Sequence, residues 1–242
     1  MDATTDELIR EFVAAGGRPQ DWRPDWDESA WRPTYSIAPT TSAPIVSERL
    51  VEGTVQRGLE LARWDWPKPA NRPSGPPIIN ARIEKLDQGF WVGAFSNSRV
   101  AVPMRGYYEW TGERGDKQPH FIHGEGLLAA AGLAWTATVA GERRRVFVVV
   151  TREARDASGE VHDRMPAFLD DELLDRWLAP EPLTVPGDSD ASRARRHEML
   201  DLLDHSSTEI ARTIRTYEVD RKVNSTRAVD PFDPSLIEPL PQ

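Results

Sequence analysis

The chain has 242 residues, 39% of them hydrophobic, and no apolar run approaches the ~20 residues that a membrane span requires. It contains no cysteine, which removes disulfides, thiolate metal ligands and a thiol nucleophile from among these residues. A formal net charge of −9 argues against a nucleic-acid binder held by overall field, while a local basic groove remains open.

The opening residues, Met1-Asp2-Ala3-Thr4-Thr5-Asp6-Glu7, lack the basic and apolar regions of a secretory signal, so a cytoplasmic protein is expected. Thr4-x-x-Glu7 is a capping box. Leu8, Ile9, Phe12 and Val13 fall on one helical stripe behind it, which predicts a short amphipathic helix over 5–14, ended by Gly16-Gly17. From Arg18 to Pro33 no period is visible, and the stretch reads as an irregular loop pinned by its tryptophans. Thr34–Ile37, Ile45-Val46 and Val55–Ala62 read as β, and the five prolines between residues 67 and 77 mark a loop. Ile78–Arg82 is a short strand-like piece.

Val100–Pro103 and Tyr107–Trp110 read as strands around a turn at Gly106, followed by strands at Pro119–Ile122, Leu127–Trp135 and Arg145–Thr151. Asp170 caps a helix carrying Leu173, Leu174, Trp177 and Leu178. A second helix is expected over roughly 191–203, and Ser206-x-x-Glu209 reads as a capping box that starts another. Thr213–Val219 is a strand, and the tail from Arg221 is expected to lie across the surface. No repeat or boundary interrupts this order. The expectation is one α+β domain over 1–242, with a mixed, mostly antiparallel barrel-like sheet and peripheral helices.

Three polar insertions into apolar surroundings stand out. Glu109 sits between Tyr108 and Trp110, where it is either a buried structural partner of Arg82 or Arg164 or a catalytic carboxyl with a raised pKa. Asn80 and Arg82 share one face of a strand-like piece, and His162 and Arg164 do so if their segment is extended. Converging on a pocket, an acid, an imidazole, an amide and two guanidiniums would bind an anionic, carbonyl-bearing substrate and move protons for it. Each pair alone is also an ordinary surface motif. His120 and His123, three apart in a strand, point to opposite faces and make poor co-ligands, so no metal and no cofactor is expected. Gly-rich phosphate loops and a Gly-x-Ser-x-Gly elbow are absent.

Taken in order, several motifs resemble the SOS response-associated peptidase (SRAP) family, the abasic-site processing proteins. They are Tyr35-Ser36-Ile37-Ala38-Pro39-Thr40, Arg63-Trp64, Ile79-Asn80-Ala81-Arg82-x-Glu84, Val102-Pro103-x-x-Gly106-Tyr107-Tyr108-Glu109-Trp110, Ala131-Gly132-Leu133-x-Trp135, His162-x-Arg164-Met165-Pro166, Val223-Asn224 and Leu236-Ile237-Glu238-Pro239. The resemblance runs from about Tyr35 to Pro239. It implies a barrel-like fold with a groove for single-stranded DNA, a monomer working at the nucleoid in the DNA-damage response, and self-directed N-terminal cleavage. By motif position it implies Asn80, Glu109 and His162 as the polar groups of the reacting centre, and Arg82, Arg164, Trp64 and Thr151 as DNA contacts. In the family, a cysteine directly after the initiator Met captures the abasic-site aldehyde through its amine and thiol.

This sequence departs from that pattern: residue 2 is Asp, the opening Met-Cys-Gly-Arg strand is missing, and Met104-Arg105 stands where the family has Ala-Asp. Two explanations stay open. Either the natural chain starts upstream with the cysteine, or this is a divergent paralogue that binds single-stranded DNA without crosslinking.

Overall fold

The structure, a computed structural model, describes residues 1–13, 31–68, 74–139, 141–225 and 228–241. The expected stop at Gly16-Gly17 and most of the tryptophan-pinned loop, including Trp22 and Trp26, lie outside these residues. The first helix begins as expected. Thr4 caps α1 (Thr5–Leu8) with the reciprocal Glu7 bonds in place, and a wider π turn, Ile9–Val13, continues it and buries Phe12 and Val13.

Among the described residues, nine strands form one sheet: β1 (Ser42–Val51), β2 (Thr54–Trp64), β3 (Asn80–Arg82), β4 (Arg99–Thr111), β5 (Gln118–Val139), β6 (Glu142–Glu153), β7 (Arg164–Pro166), β8 (Phe168–Leu169) and β9 (Arg215–Glu218). The β1–β2 hairpin turns on Glu52-Gly53, both at positive φ, the combination whose twist suits a two-residue hairpin loop. β6 runs parallel to β2 and antiparallel to β5, which closes β6-β2-β1-β4-β5 into a ring and accounts for the barrel-like expectation.

Successive strand residues point to opposite faces, and here both faces are covered. The strands therefore read as continuous apolar runs, with Val148 and Val150 in one core and Phe147 and Val149 in another. The first core joins the sheet to α1, α2 (Trp91–Asn97), α4 (Asp171–Leu178) and α5 (Ser189–Ala211) through Leu8, Phe95, Trp177 and Leu203. α3 (Asp156–Gly159) is a single turn.

Buried guanidiniums hold these helices to the sheet, among them Arg57 of β2, which reaches Asp175 of α4 at 2.6 Å. Arg99 donates to the carbonyls of Phe95 and Ser96 in α2, of Trp177 in α4, and of Ala179 and Glu181 just beyond it, at 2.7–3.1 Å. It thereby satisfies carbonyls that helix ends leave orphaned. Burial lowers its pKa to about 10, still charged at neutral pH. Arg152, 2% exposed, reaches the other way to the Asp204 carbonyl and the Thr208 hydroxyl of α5.

Several expectations need correction. Thr34–Ile37 is not a strand: the Thr34 amide bonds the Met1 carbonyl and the Tyr35 amide that of Pro231, so its backbone is taken by loop contacts. Gly106 is not a turn but part of one long strand, where the register shifts between Met104 and Gly106 around Arg105. β5 runs unbroken through Gly124 and Gly126, merging two expected strands. Ser206 starts no helix. It lies buried inside α5, where its hydroxyl receives the Asp170 amide at 2.8 Å and donates to the Phe168 carbonyl. The tail is anchored rather than laid over the surface, with Val223 and Leu236 buried against Phe121 and Val219.

Gly106 matters for space and not for φ. A Cβ there would fall inside contact distance of the Ile122 carbonyl oxygen and against the Phe121 ring, whereas one at Gly126 meets nothing within 4 Å. Gly106→Ala is expected to cost about 1–3 kcal/mol and Gly126→Ala within about 0.5 kcal/mol, read as shifts of the urea unfolding midpoint. Equal midpoints for the two variants would show that β4 and β5 are not in this register.

Candidate functional site

One cleft of about 530 Å³ opens beside the ring. Its lining contains every residue singled out in the sequence: Trp64 at the end of β2, Asn80 and Arg82 on β3, Glu109 on β4, Thr151 on β6, Arg164 on β7, and His162 just before it. β6 gathers most of them. Trp64 is level with Phe147, Asn80 with Val149 and Arg82 with Thr151, while β7 pairs across the same strand with Pro166 level with Thr151. Residues 80 and 82, two apart on a strand, share a face as expected.

Glu109 faces His162, with 4.0 Å between carboxylate and Nε2, and not an arginine. That removes the reading in which Glu109 is the core partner of Arg82 or Arg164. Burial holds the Glu109 carboxyl above the ordinary carboxylate value, against the opposing charges of His162 and Lys117 and with a smaller push upward from Asp163. His162 is oriented by its own backbone neighbourhood, because its Nδ1 accepts the Arg164 amide at 3.0 Å. That bond leaves Nε2 toward Glu109. A carboxyl raised by burial and an imidazole on one wall are suited to relaying a proton.

Arg164 instead forks onto Glu84, at 2.7 and 3.1 Å, and donates to the Thr151 carbonyl at 2.7 Å. The Glu84 carboxyl is lowered, first by these Arg164 bonds. Arg82 makes no ion pair or side-chain hydrogen bond among the described residues, and Asn80 likewise stands open. Trp64 lies nearly parallel to Phe147, with ring centres 6.3 Å apart, and its indole N–H is bound to the Ile79 carbonyl at 2.9 Å. Its position is thereby set where it lines the cleft. Thr151 is buried, and its side chain lies under the Arg164 fork.

Sequence reasoning missed other parts of the lining. Met1 reaches the cleft because Asp2 is bound to Arg105 at 2.5 Å and the Met1 carbonyl receives the Thr34 amide at 2.7 Å. Burial, aided by Arg105 and opposed by Asp2, lowers the Met1 α-amine to about 6. The Tyr107 hydroxyl is paired with Ser158 at 2.8 Å and the Tyr108 hydroxyl donates to the Tyr35 carbonyl at 2.9 Å, so both rings are fixed as walls. Tyr35, Tyr107 and Tyr108 stand in the sequence motifs, but only the unusual Met104-Arg105 pair hinted at Met1, and nothing local linked that pair to Asp2. Among the described residues, no group of three His, Asp or Glu side chains could hold a metal ion, and no helix is long and apolar enough to cross a membrane.

A model of the SOS response associated peptidase (SRAP) family matches residues 2–226. The abasic site processing protein HMCES of Xenopus tropicalis is 27% identical over 197 residues, covering 67% of this chain and 58% of that protein. The abasic site processing protein YedK of Escherichia coli (strain K12) is 30% identical over 158 residues, covering 61% of this chain and 65% of its own. The chain thus spans less than two thirds of the length of these curated relatives. Among solved structures, a protein from Bacteroides thetaiotaomicron superposes with a TM-score of 0.65 at 19% identity, covering 99% of this chain and 97% of that one. A phage-related protein from Bordetella bronchiseptica gives 0.59 at 28% identity, over 79% and 84%. These neighbours carry the same mixed α+β architecture.

The Glu109 environment has a signature in stability. Its folded pKa lies above the ordinary 4.5, so between those two values the folded chain binds more protons than the unfolded one, and stability falls as pH rises. Relative to Glu109→Gln, the parent protein is expected to lose urea resistance as pH rises through 4.5 and to level off once the raised folded value is passed. A constant difference between the two across that window would mean the carboxyl is not raised.

Proposed function

The chain belongs to the SOS response associated peptidase family, and from that premise we propose that its cleft receives single-stranded DNA at an abasic site and processes the ring-opened sugar aldehyde. One observation carries this reading: an acid–imidazole pair, an open amide and two arginines, drawn from separate strands, line the same cleft. Arg82 and Arg164 suit the phosphates flanking the lesion. The Trp64 ring in the lining suits a neighbouring base, and Asn80 suits a hydroxyl of the opened sugar. That relatives carry the name abasic site processing protein supports the same substrate.

Covalent capture of an aldehyde needs a neutral amine. An α-amine lowered to about 6, like that of Met1, is mostly neutral at pH 7. Its nitrogen would attack the C1 carbonyl carbon to give a carbinolamine. A proton from the His162–Glu109 pair would then release the C1 hydroxyl as water and leave an iminium, whose N–H proton returns to the pair to give the imine. Closure to a thiazolidine needs a thiol, and these 242 residues contain none. An α-amine with no thiol beside it gives a reversible imine, and a stable thiazolidine requires a cysteine at that position. A second reading, in which the cleft holds single-stranded DNA without covalent chemistry, rests on Arg82 and Arg164 in the same lining. The peptidase reading is self-directed removal of an N-terminal residue, and it would draw on the same acid–imidazole pair.

Incubation with a single-stranded oligonucleotide carrying one abasic site separates these readings. An adduct that survives a denaturing gel only after borohydride reduction is expected from this chain, and one that needs no reduction from a version extended by Met-Cys-Gly-Arg. Glu109→Gln or His162→Ala is expected to slow adduct formation by about two orders of magnitude. Salt-sensitive binding with no adduct from either version would leave the binding module; neither binding nor adduct would end both readings.

A further inference from the structure

Arg164 is a cation of the cleft suited to a phosphate, yet its fork is already occupied. Glu84 stands in the single turn that follows β3, two residues beyond Arg82, and presents both carboxylate oxygens to the two terminal nitrogens of Arg164. Two oxygens sharing one negative charge on a planar fork is also the arrangement a phosphodiester offers. The arginine cannot easily turn away, because the Thr151 carbonyl receives the same Nη2 that meets Glu84, and its side chain is 20% exposed. Glu84 is the more exposed half, at 51%. A pair exposed to that extent is weak, so an incoming anion can replace the carboxylate without leaving a buried charge behind.

We propose that Glu84 is an internal stand-in for a DNA phosphate. It occupies the Arg164 fork in the free protein, and the phosphodiester beside the lesion displaces it into solvent when the strand enters. This rests on the reading of the cleft as a single-stranded DNA site and extends it to how that site discriminates. Every strand must compete with Glu84 for Arg164, so a strand that gains nothing else from the cleft is bound weakly, whereas an abasic site engaged by Asn80, Glu109 and His162 offsets the competition. Arg82, which has no such partner, would meet phosphate without displacing anything.

The test is a fluorescence-anisotropy titration of labelled single-stranded DNA, undamaged and abasic, between about 50 and 200 mM salt. Parent, Glu84→Gln, Arg164→Gln and the double variant are compared, with thermal unfolding as a check on folding. Glu84→Gln is expected to bind undamaged strands about two- to fivefold more tightly, the factor a half-exposed pair is worth. Its dependence of log K on log salt should steepen by up to ~0.7, and its preference for abasic over undamaged DNA should narrow. In the Arg164→Gln background the same substitution should change nothing.

Tighter binding that persists without Arg164 would show a general charge effect and overturn the proposal. Weaker binding by Glu84→Gln would make Glu84 a brace for Arg164, which also overturns it. If the parent shows no salt-sensitive binding at all, the reading of the cleft as a DNA site fails and the proposal with it; if the parent binds and Glu84→Gln is indistinguishable from it, the stand-in role alone fails.

Discussion

The pairing of β6 with four other strands is the constraint on which the rest of the structure depends. β6 pairs with β2, β3, β5 and β7, and without it the sheet would not close and three of the site's segments would have no common support. Because side chains alternate along a strand, this one element serves two purposes at once. Val148, Val150 and Arg152 turn to the helices, while Phe147, Val149 and Thr151 turn to the cleft. A shift of one residue against β3 would exchange those faces and send Asn80 and Arg82 away from the cleft. The register is held by both buried faces together, since a slip in either direction would place Arg152 in one core and strip valines from the other.

Arginine illustrates how far the same chemistry can be put to different ends. Arg99 and Arg152 serve as buried ties that satisfy backbone carbonyls at helix ends and inside α5, where a lysine could not span as many acceptors. Arg105 holds Asp2, and with it the first residue, against the cleft. Arg164 is pinned from beneath and capped by Glu84, and Arg82 is left open. Composition alone, with four lysines among the 30 basic residues, is compatible with any of these uses. Which arginine does which is a matter of what each strand face meets.

Glu109 shows the same dependence. An acid between two rings reads equally as a structural ion pair or as a proton-handling group. The two readings part only when the partner is known, and the partner, His162, arrives from more than fifty positions away at 4.0 Å. Burial then raises the carboxyl instead of an arginine lowering it. The motif-based choice of Asn80, Arg82, Glu109, Thr151, His162, Arg164 and Trp64 brought together residues that share one lining. Met1 and Ser158 did not come with them, because their importance lies in contacts between segments that no local pattern connects, and Glu84, though in the Asn80–Arg82 motif, gave no sign of its pairing with Arg164.

Local chemistry in the sequence determined a good part of this protein. The capping box at Thr4 and Glu7, the Asp170 cap with its apolar stripe, the apolar runs of the strands and the grouping of Asn80 with Arg82 all follow from spacing and side-chain type. Errors arose where a local signal competes with long-range pairing. Gly106 looked like a turn because glycine usually marks one, but here the Phe121 ring and the Ile122 carbonyl require the missing Cβ. Ser206-x-x-Glu209 looked like a helix start, but Ser206 is taken up by Phe168 and Asp170 inside a continuous helix. Tertiary structure alone decided that the ring closes through a parallel β2–β6 contact, that Glu109 meets an imidazole and that Arg164 meets Glu84. Each of these depends on two segments distant in sequence meeting at a set register, and the energy that sets the register is spread over both cores rather than written in either segment.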